Sequence, residues 1–395
     1  MTELTADTTV GVLGAGAMGA GIAQVALVRG HHVVLADARP DAAERASETV
    51  AKALAREVEK GRLTPAAANG AHRRLTIVRG TEDLAPFAAC GLVVEAVVED
   101  LGVKRESFRR LEEVVAPDAV LATNTSSLSV ASIAGACARP ERVVGVHFFN
   151  PAPVMPLVEI VPGLATDPGV VATVRPLVEG WGKTTVVASD TPGFIVNRVA
   201  RPFYGESLRL LDEGLADAPT IDWAMRTFGG FRMGPFELMD FIGLDVNYAV
   251  TRSVYEQTYH DPRYRPSLTQ ARLVEAGRLG RKTGRGFYDY GADAERPAAT
   301  EDGALGEALL RRVLAMLVNE AADAVYWRVA TPPDVELAMT KGVNYPRGLL
   351  AWGDAIGADI VLAELERLRD TYAEDRYRPS LHLRRAVREQ RSLQL

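Results

Sequence analysis

The run Gly14-Ala15-Gly16-Ala17-Met18-Gly19 fits G-x-G-x-x-G, follows the apolar stretch Val10-Gly11-Val12-Leu13 and opens a helical stretch from Ala20 to Arg29. Glycines so spaced meet three demands: a tight strand-to-helix turn, backbone close enough to touch a pyrophosphate, and a helix packed hard on its strand, with phosphate charge at the helix N-terminus. Asp37, 23 residues after Gly14, closes the second β-branched run, where a carboxylate accepts hydrogen bonds from both ribose hydroxyls. The pattern predicts a βαβ unit that binds a dinucleotide. A carboxylate at that place repels a 2′-phosphate, which favours NAD over NADP, although Arg39 stands nearby.

The same alternation continues. Short β-branched runs at Val33-Val34-Leu35, Leu75 to Val78, Leu92-Val93-Val94, Ala119-Val120-Leu121, Val143 to Val146, Leu157 to Val161 and Thr184 to Val187 are separated by helical stretches. This is the signature of an α/β, Rossmann-type doubly wound parallel sheet over residues 1–190. Arg45 to Lys60, dense in Ala, Glu, Lys and Arg, reads as a solvated helix projecting from that sheet. After Asp190-Thr191-Pro192-Gly193 the β-branched runs stop and the chain reads helical, giving a second domain over 191–290, a linker over 291–303 and a third segment over 304–395. The last two helical segments are copies. Arg263-Tyr264-Arg265-Pro266-Ser267-Leu268 recurs 113 residues later as Arg376-Tyr377-Arg378-Pro379-Ser380-Leu381, and Asp240-Phe241-Ile242-Gly243 recurs 114 residues later as Asp354-Ala355-Ile356-Gly357. Two units mean duplication, since a solenoid needs three or more.

Composition removes other classes. With 45 Lys+Arg against 51 Asp+Glu, the net charge of −6 provides no global field for nucleic acid or an anionic membrane. The two cysteines, Cys90 and Cys137, make neither a disulfide framework nor a metal-ligand spacing. Val10 to Val28 carries no charge, yet five glycines interrupt it, and the acidic residues before it do not suit a signal peptide. The expectation is a cytoplasmic protein with no metal, no membrane segment and no targeting signal.

A second cluster, His147-Phe148-Phe149-Asn150-Pro151 with Glu159 downstream, closes one predicted strand and enters the next. In open sheets ligands sit outside the carboxyl ends of strands, so His147 is placed to take a hydroxyl proton as hydride leaves, with Glu159 fixing its tautomer. Local sequence reads equally well as a satisfied core histidine. The other five, His31, His32, His72, His260 and His382, sit in no comparable arrangement. Thr123-Asn124-Thr125-Ser126-Ser127 ends another strand; its hydroxyls either hold a substrate oxygen or cap the next helix, as Ser129 also can.

These motifs, with Glu95-Ala96-Val97-Val98-Glu99, Pro192 to Arg198 and Lys282-Thr283-Gly284-Arg285-Gly286-Phe287-Tyr288, resemble those of the L-3-hydroxyacyl-CoA dehydrogenases, including the bacterial 3-hydroxybutyryl-CoA type. The resemblance covers most of the chain. It implies NAD-dependent, reversible oxidation of an L-3-hydroxyacyl-CoA to the 3-oxoacyl-CoA, with His147 as base, Glu159 orienting it, and Ser126 and Asn197 contacting the reacting oxygen. It places Gly14, Gly16, Met18, Gly19, Asp37, Glu99 and Lys104 at the cofactor and names the 191–290 segment the family's C-terminal domain. Helices after the second strand hold CoA in the family; the matching stretch here carries Arg45, Lys52, Arg56 and Lys60, which also suit a solvated face. Short members pair through their helical domains, so the extra copy after Gly303, read as degenerate and structural, is placed to replace the partner; either a monomer or a homodimer is expected. Alternatives are a dehydrogenase of a free hydroxy or sugar acid, and a non-catalytic, crystallin-like NAD-binding protein.

Overall fold

In the computed structural model, which describes residues 4–395, the β-branched runs become eight strands: β1 (Val10–Leu13), β2 (Val33–Asp37), β3 (Leu75–Arg79), β4 (Leu92–Glu95), β5 (Val120–Thr123), β6 (Val143–Phe148), β7 (Leu157–Pro162) and β8 (Thr184–Val187). They form one sheet in the order β3-β2-β1-β4-β5-β6-β7-β8. β1 to β6 run parallel, and the order reverses between β1 and β4, the switch point at which such sheets bind ligands. β7 departs from the expected parallel sheet by running antiparallel to β6. Eight residues link Phe148 to Leu157, too few for a parallel crossover, which takes a dozen or more, so the chain turns back on itself.

The helices of this unit are α1 (Ala17–Val28), α2 (Ala42–Glu59), α3 (Pro65–Arg73), α4 (Leu101–Val114), α5 (Val130–Ala134) and α6 (Pro168–Gly180). α1 is apolar nearly all round and belongs to the core with Val10, Val12, Val33, Leu35, Val94 and Val146. The reading of Arg45 to Lys60 as a projecting helix needs correction. α2 buries Ala46, Val50 and Leu54, four residues apart, in that core and packs on α1, α3 and β3. Charges fill the rest of its circumference and hide a narrow apolar stripe.

Contacts divide the chain after Thr191, and the second compact unit runs Pro192–Leu395. It contains α7 (Val196–Val199), α8 (Arg201–Asp212), α9 (Ala218–Thr227), α10 (Pro235–Ile242), α11 (Leu244–Gln257), α12 (Leu268–Glu275), α13 (Gly303–Tyr326), α14 (Pro332–Leu337), α15 (Leu349–Ile356), α16 (Ala358–Tyr372) and α17 (Leu381–Glu389). Both sequence copies lie in this unit, and the long α13 packs on α8 and α9 of the first copy as well as α15, α16 and α17 of the second.

Their contact is reciprocal. Glu320 meets Arg198 at 2.9 Å, Arg263 at 3.4 Å and the Tyr264 hydroxyl at 2.5 Å. Glu206, its counterpart 114 residues earlier, meets Arg312 at 2.6 Å, Arg376 at 3.6 Å and the Tyr377 hydroxyl at 2.8 Å. All eight residues are buried. Asp222 and Glu336 extend the correspondence, each accepting two backbone N–H groups in the first turn of α10 and of α15. One patch is used twice, as in a two-fold dimer interface, inside a single chain. Among the described residues no helix is long and apolar enough to cross a membrane, and no group of three or more His, Cys, Asp or Glu side chains is placed to hold a metal.

Candidate active site

The glycine loop begins where β1 ends. Gly14 has φ +107°, and a Cβ there would stand 2.5 Å from the Ala96 carbonyl oxygen; a Cβ on Gly19 would stand 1.8 Å from that of Gly14. The turn and the helix contact therefore both require glycine. Around the Cβ position of Gly16 nothing lies within 4 Å, and no side chain caps α1, so its first N–H groups remain for a phosphate. Asp37 Oδ2 accepts from the Ala15 amide at 2.8 Å, while Oδ1 accepts from the Arg39 amide at 2.9 Å and its Nε at 3.4 Å. Burial pushes this carboxyl up, but the Ala15 and Arg39 hydrogen bonds outweigh it and hold the pKa below the usual value. A cleft of about 920 Å³ opens here, lined by Gly16, Met18, Asp37, Val98, Ser107 and Arg110 among others. A side-chain-free phosphate cradle, an ionised acid at the ribose end and Arg39 paired back to that acid fit NAD and disfavour a 2′-phosphate.

The carboxyl ends of β4 and β5 carry a buried network. Lys104, 1 % exposed, donates to Glu95 Oε1 at 2.6 Å and lies 3.3 Å from Glu99 Oε2. Glu95 also accepts from the Val97 amide at 2.7 Å and the Thr123 hydroxyl at 2.8 Å. Burial raises the Glu95 pKa against the pull of Lys104 and these donors. In Glu99 burial is outweighed by Lys104, the Thr125 hydroxyl and the Ser126 amide, and the pKa falls. Glu99 gathers the loop after β5, accepting from the Thr125 hydroxyl at 2.6 Å, the Ser126 amide at 2.9 Å and the Ser127 hydroxyl at 2.9 Å. Thus Glu99, Lys104 and Ser126 are parts of one hydrogen-bonded assembly. The sequence reading quotes Glu95 only as the first residue of the motif ending at Glu99 and gives it no role; an acid closing the apolar run Leu92-Val93-Val94, nine residues before Lys104, is the available signal. The helix cap falls to Ser129, which accepts from the Ser132 amide at 3.1 Å, with Asp190 receiving the amides of Val130 and Ala131.

His147 and Glu159 face each other across β6 and β7, with Nδ1 2.7 Å from Oε2, and both are buried. In an antiparallel pair directly opposed residues share a face, so strand register places this contact. Asn124 Oδ1 accepts the Phe148 amide at 2.8 Å and ties the end of β5 to that of β6. Beyond β6, Lys183 donates to the carbonyls of Ala152 at 2.5 Å and Met155 at 2.8 Å. Burial, with Arg29 in support, draws its pKa down to about 8. Asn124 enters the sequence reading only as part of the run after the fifth strand, with no role of its own, and Lys183 not at all, because each acts through long-range backbone contacts. Asn197 lies in α7 of the second unit, half-buried. Of the cations proposed near CoA, Arg45 pairs with Asp41, and Lys52 lies 4.0 Å from Glu48.

Known proteins resemble this chain over most of its length. The family model described as 3-hydroxyacyl-CoA dehydrogenase, NAD binding domain, matches residues 9–191, and the one described as 3-hydroxyacyl-CoA dehydrogenase, C-terminal domain, matches 193–290 and 309–394. The 3-hydroxyadipyl-CoA dehydrogenase of Escherichia coli (strain K12) is 40% identical over 95% of this chain and 96% of its own. The 3-hydroxybutyryl-CoA dehydrogenase of Bradyrhizobium diazoefficiens is 43% identical over 71% of this chain and 94% of its own. A crystal structure of 3-hydroxybutyryl-CoA dehydrogenase from Escherichia coli K12 superposes with a TM-score of 0.91 at 38% identity, covering 98% of this chain and 99% of that one.

Proposed function

The chain belongs to the 3-hydroxyacyl-CoA dehydrogenase family, and we infer that it is an NAD-dependent oxidoreductase that converts an L-3-hydroxyacyl-CoA reversibly to the 3-oxoacyl-CoA, with His147 as the base. The observation that carries the assignment of the base is the His147–Glu159 contact at the carboxyl end of β6, in the sheet whose switch point holds the glycine loop.

NAD held by the glycine loop and Asp37 would supply the acceptor for a hydride from C3 of the substrate. His147 takes the hydroxyl proton on Nε2 as the C3–O bond becomes a carbonyl. Glu159 receives the Nδ1–H, which fixes the tautomer and favours the imidazolium that forms. In the reverse direction the same nitrogen returns the proton. Ser126 donates its amide to Glu99, and its hydroxyl lies 3.5 Å from that carboxylate, at the limit of a hydrogen bond, so a substrate oxygen competes for it. The part given to Asn197, contact with the same oxygen, rests on the resemblance of its motif. Glu95 and Lys104 hold Glu99, and through it the Ser126 loop, in place.

The named relatives differ in the acyl end, dicarboxylic in 3-hydroxyadipyl-CoA and monocarboxylic in 3-hydroxybutyryl-CoA. Selection between them requires a group that senses charge at the chain end. The reading is tested by steady-state oxidation and reduction of 3-hydroxyacyl-CoA and 3-oxoacyl-CoA thioesters with NAD and with NADP, beside the free hydroxy acids. Turnover of thioesters with NAD is expected. Preference for the free acids would overturn the substrate class, and inactivity on all of them the enzymatic reading.

A further inference from the structure

Six arginines are buried among the described residues: Arg142, Arg198, Arg201, Arg263, Arg312 and Arg376. Five of them face a carboxylate at 3.6 Å or less. Arg201 faces none. Its Nη1 donates to the Thr251 hydroxyl at 3.2 Å, which itself donates to the Asn247 carbonyl at 3.0 Å; its Cζ stands 5.0 Å from the Tyr204 ring centroid, and its Nε, like those of Arg142 and Arg263, has no hydrogen-bond partner. The Tyr345 hydroxyl is also buried and without a partner, on a ring whose centroid lies 5.8 Å from that of Phe203, two residues after Arg201. Burial draws the Arg201 pKa down, and only the phenols of Tyr204 and Tyr345 oppose it. A buried cation left without a counter-charge is costly, and buried polar groups left unpaired point to a missing partner.

The duplicated core does not require this cluster. At the offset of 114 residues, Arg201 and Thr251 correspond to Ala315 and Leu365 in the second copy, and Tyr345 to Phe231 in the first. The polar groups therefore stand on one side of the pseudo-two-fold axis only. That side is the one with Asn197. Ala200 keeps right-handed helical backbone (φ −78°, ψ −10°) between α7 and α8, so Arg201 follows Asn197 by one turn on the same face. In an extended acyl chain a carboxylate three carbons beyond C3 lies about 4 Å from it. One helical turn rises about 5.4 Å, a comparable span.

We propose that Arg201, held in place by the Thr251 hydroxyl and joined by that of Tyr345, receives the distal carboxylate of a dicarboxylic 3-hydroxyacyl-CoA and makes the enzyme selective for acyl chains that end in an acid. The proposal rests on the dehydrogenase reading above and on the assignment of the reacting oxygen to Asn197. A guanidinium suits this task because its fixed fork of donors pairs with both oxygens of a carboxylate. A methyl end would leave the cation uncompensated, and sites built for polar groups reject analogues that lack them.

The test compares 3-hydroxyadipyl-CoA with 3-hydroxyhexanoyl-CoA, equal in length and differing in the terminal acid, in the full-length protein with NAD. The unmodified enzyme is expected to favour the adipyl thioester by about 100-fold in kcat/KM. Arg201→Met should lose about 100-fold on the adipyl thioester and stay within about threefold on the hexanoyl one. Arg201→Lys and Tyr345→Phe should fall between. Since Arg201→Met removes an unpaired charge, its melting temperature should equal or exceed the parent's, and adipyl-CoA should raise the melting temperature of the parent more than that of the variant. Were Arg201→Met not to fold, the parent's preference and its loss in Arg201→Lys would decide the matter in the same way. Equal losses on both thioesters, or no preference in the parent, overturn the proposal and leave the dehydrogenase standing. Failure of the parent to oxidise either thioester overturns both.

Discussion

His147 and Glu159 stand directly opposite each other on antiparallel strands, Nδ1 and Oε2 2.7 Å apart, so the ring is oriented by sheet register. His147→Ala is expected to lose at least about 100-fold in kcat, and Glu159→Gln, which keeps the shape but not the charge, at least about tenfold. Neither residue lines the dinucleotide cleft, so NAD affinity measured by fluorescence titration should stay within about threefold. Full turnover by His147→Ala would remove the base assignment.

Asp37 holds the glycine loop and Arg39 together through its two oxygens. Replacing it by Ser frees Arg39 and removes the charge that repels a 2′-phosphate. Asp37→Ser should lower kcat/KM with NAD by at least about tenfold and raise the NADP-to-NAD ratio by more than that. An unchanged ratio would place cofactor choice elsewhere.

Much of this was legible in the sequence, for reasons that also explain the omissions. The eight strands are short β-branched runs bounded by turn residues, and the glycine loop announces itself by spacing. The amphipathic α2 was misread because its stripe is Ala46, Val50 and Leu54 among many charges, and small residues carry little hydrophobic signal. The antiparallel course of β7 follows from an eight-residue connection that can be counted beforehand. Burial is the part that composition conceals: Glu95, Lys104 and Arg201 are ordinary charged residues until the fold encloses them, and only then does the presence or absence of a counter-charge become a constraint.

His31 gives the first unit an acid-sensitive point. Its Nδ1 meets the Thr8 carbonyl at 2.8 Å and its Nε2 accepts from the Trp181 indole at 2.9 Å, which together require the neutral ring protonated on Nδ1. Burial pulls the pKa down, and Arg74 adds to this against the Thr8 carbonyl and Asp7. The unfolded chain takes up a proton near pH 6.5 while the folded ring does not, so stability should fall as pH drops below that value, by at most about 1.4 kcal/mol per pH unit. The loss should level off once the folded ring itself titrates. Denaturant melts of the parent and of His31→Phe between pH 5 and pH 8 measure it; identical pH slopes would rule the mechanism out.

The Glu320 and Glu206 clusters predict both oligomeric state and stability. Each glutamate compensates two buried arginines of the other copy, Arg198 and Arg263 for Glu320, Arg312 and Arg376 for Glu206. Removing either carboxylate leaves two guanidinium groups buried with less counter-charge, and Glu320→Ala and Glu206→Ala should each cost about 3–5 kcal/mol. The two losses should resemble each other because the patches are related by the duplication. The face of α8 that would serve a two-fold partner is already covered by α13. Sedimentation velocity should therefore show a monomer near 42.6 kDa, with no concentration-dependent shift. A stable species of twice that mass would mean that the duplicated segment does not replace a partner, and strongly unequal losses for the two substitutions would mean that the apparent symmetry has no energetic counterpart.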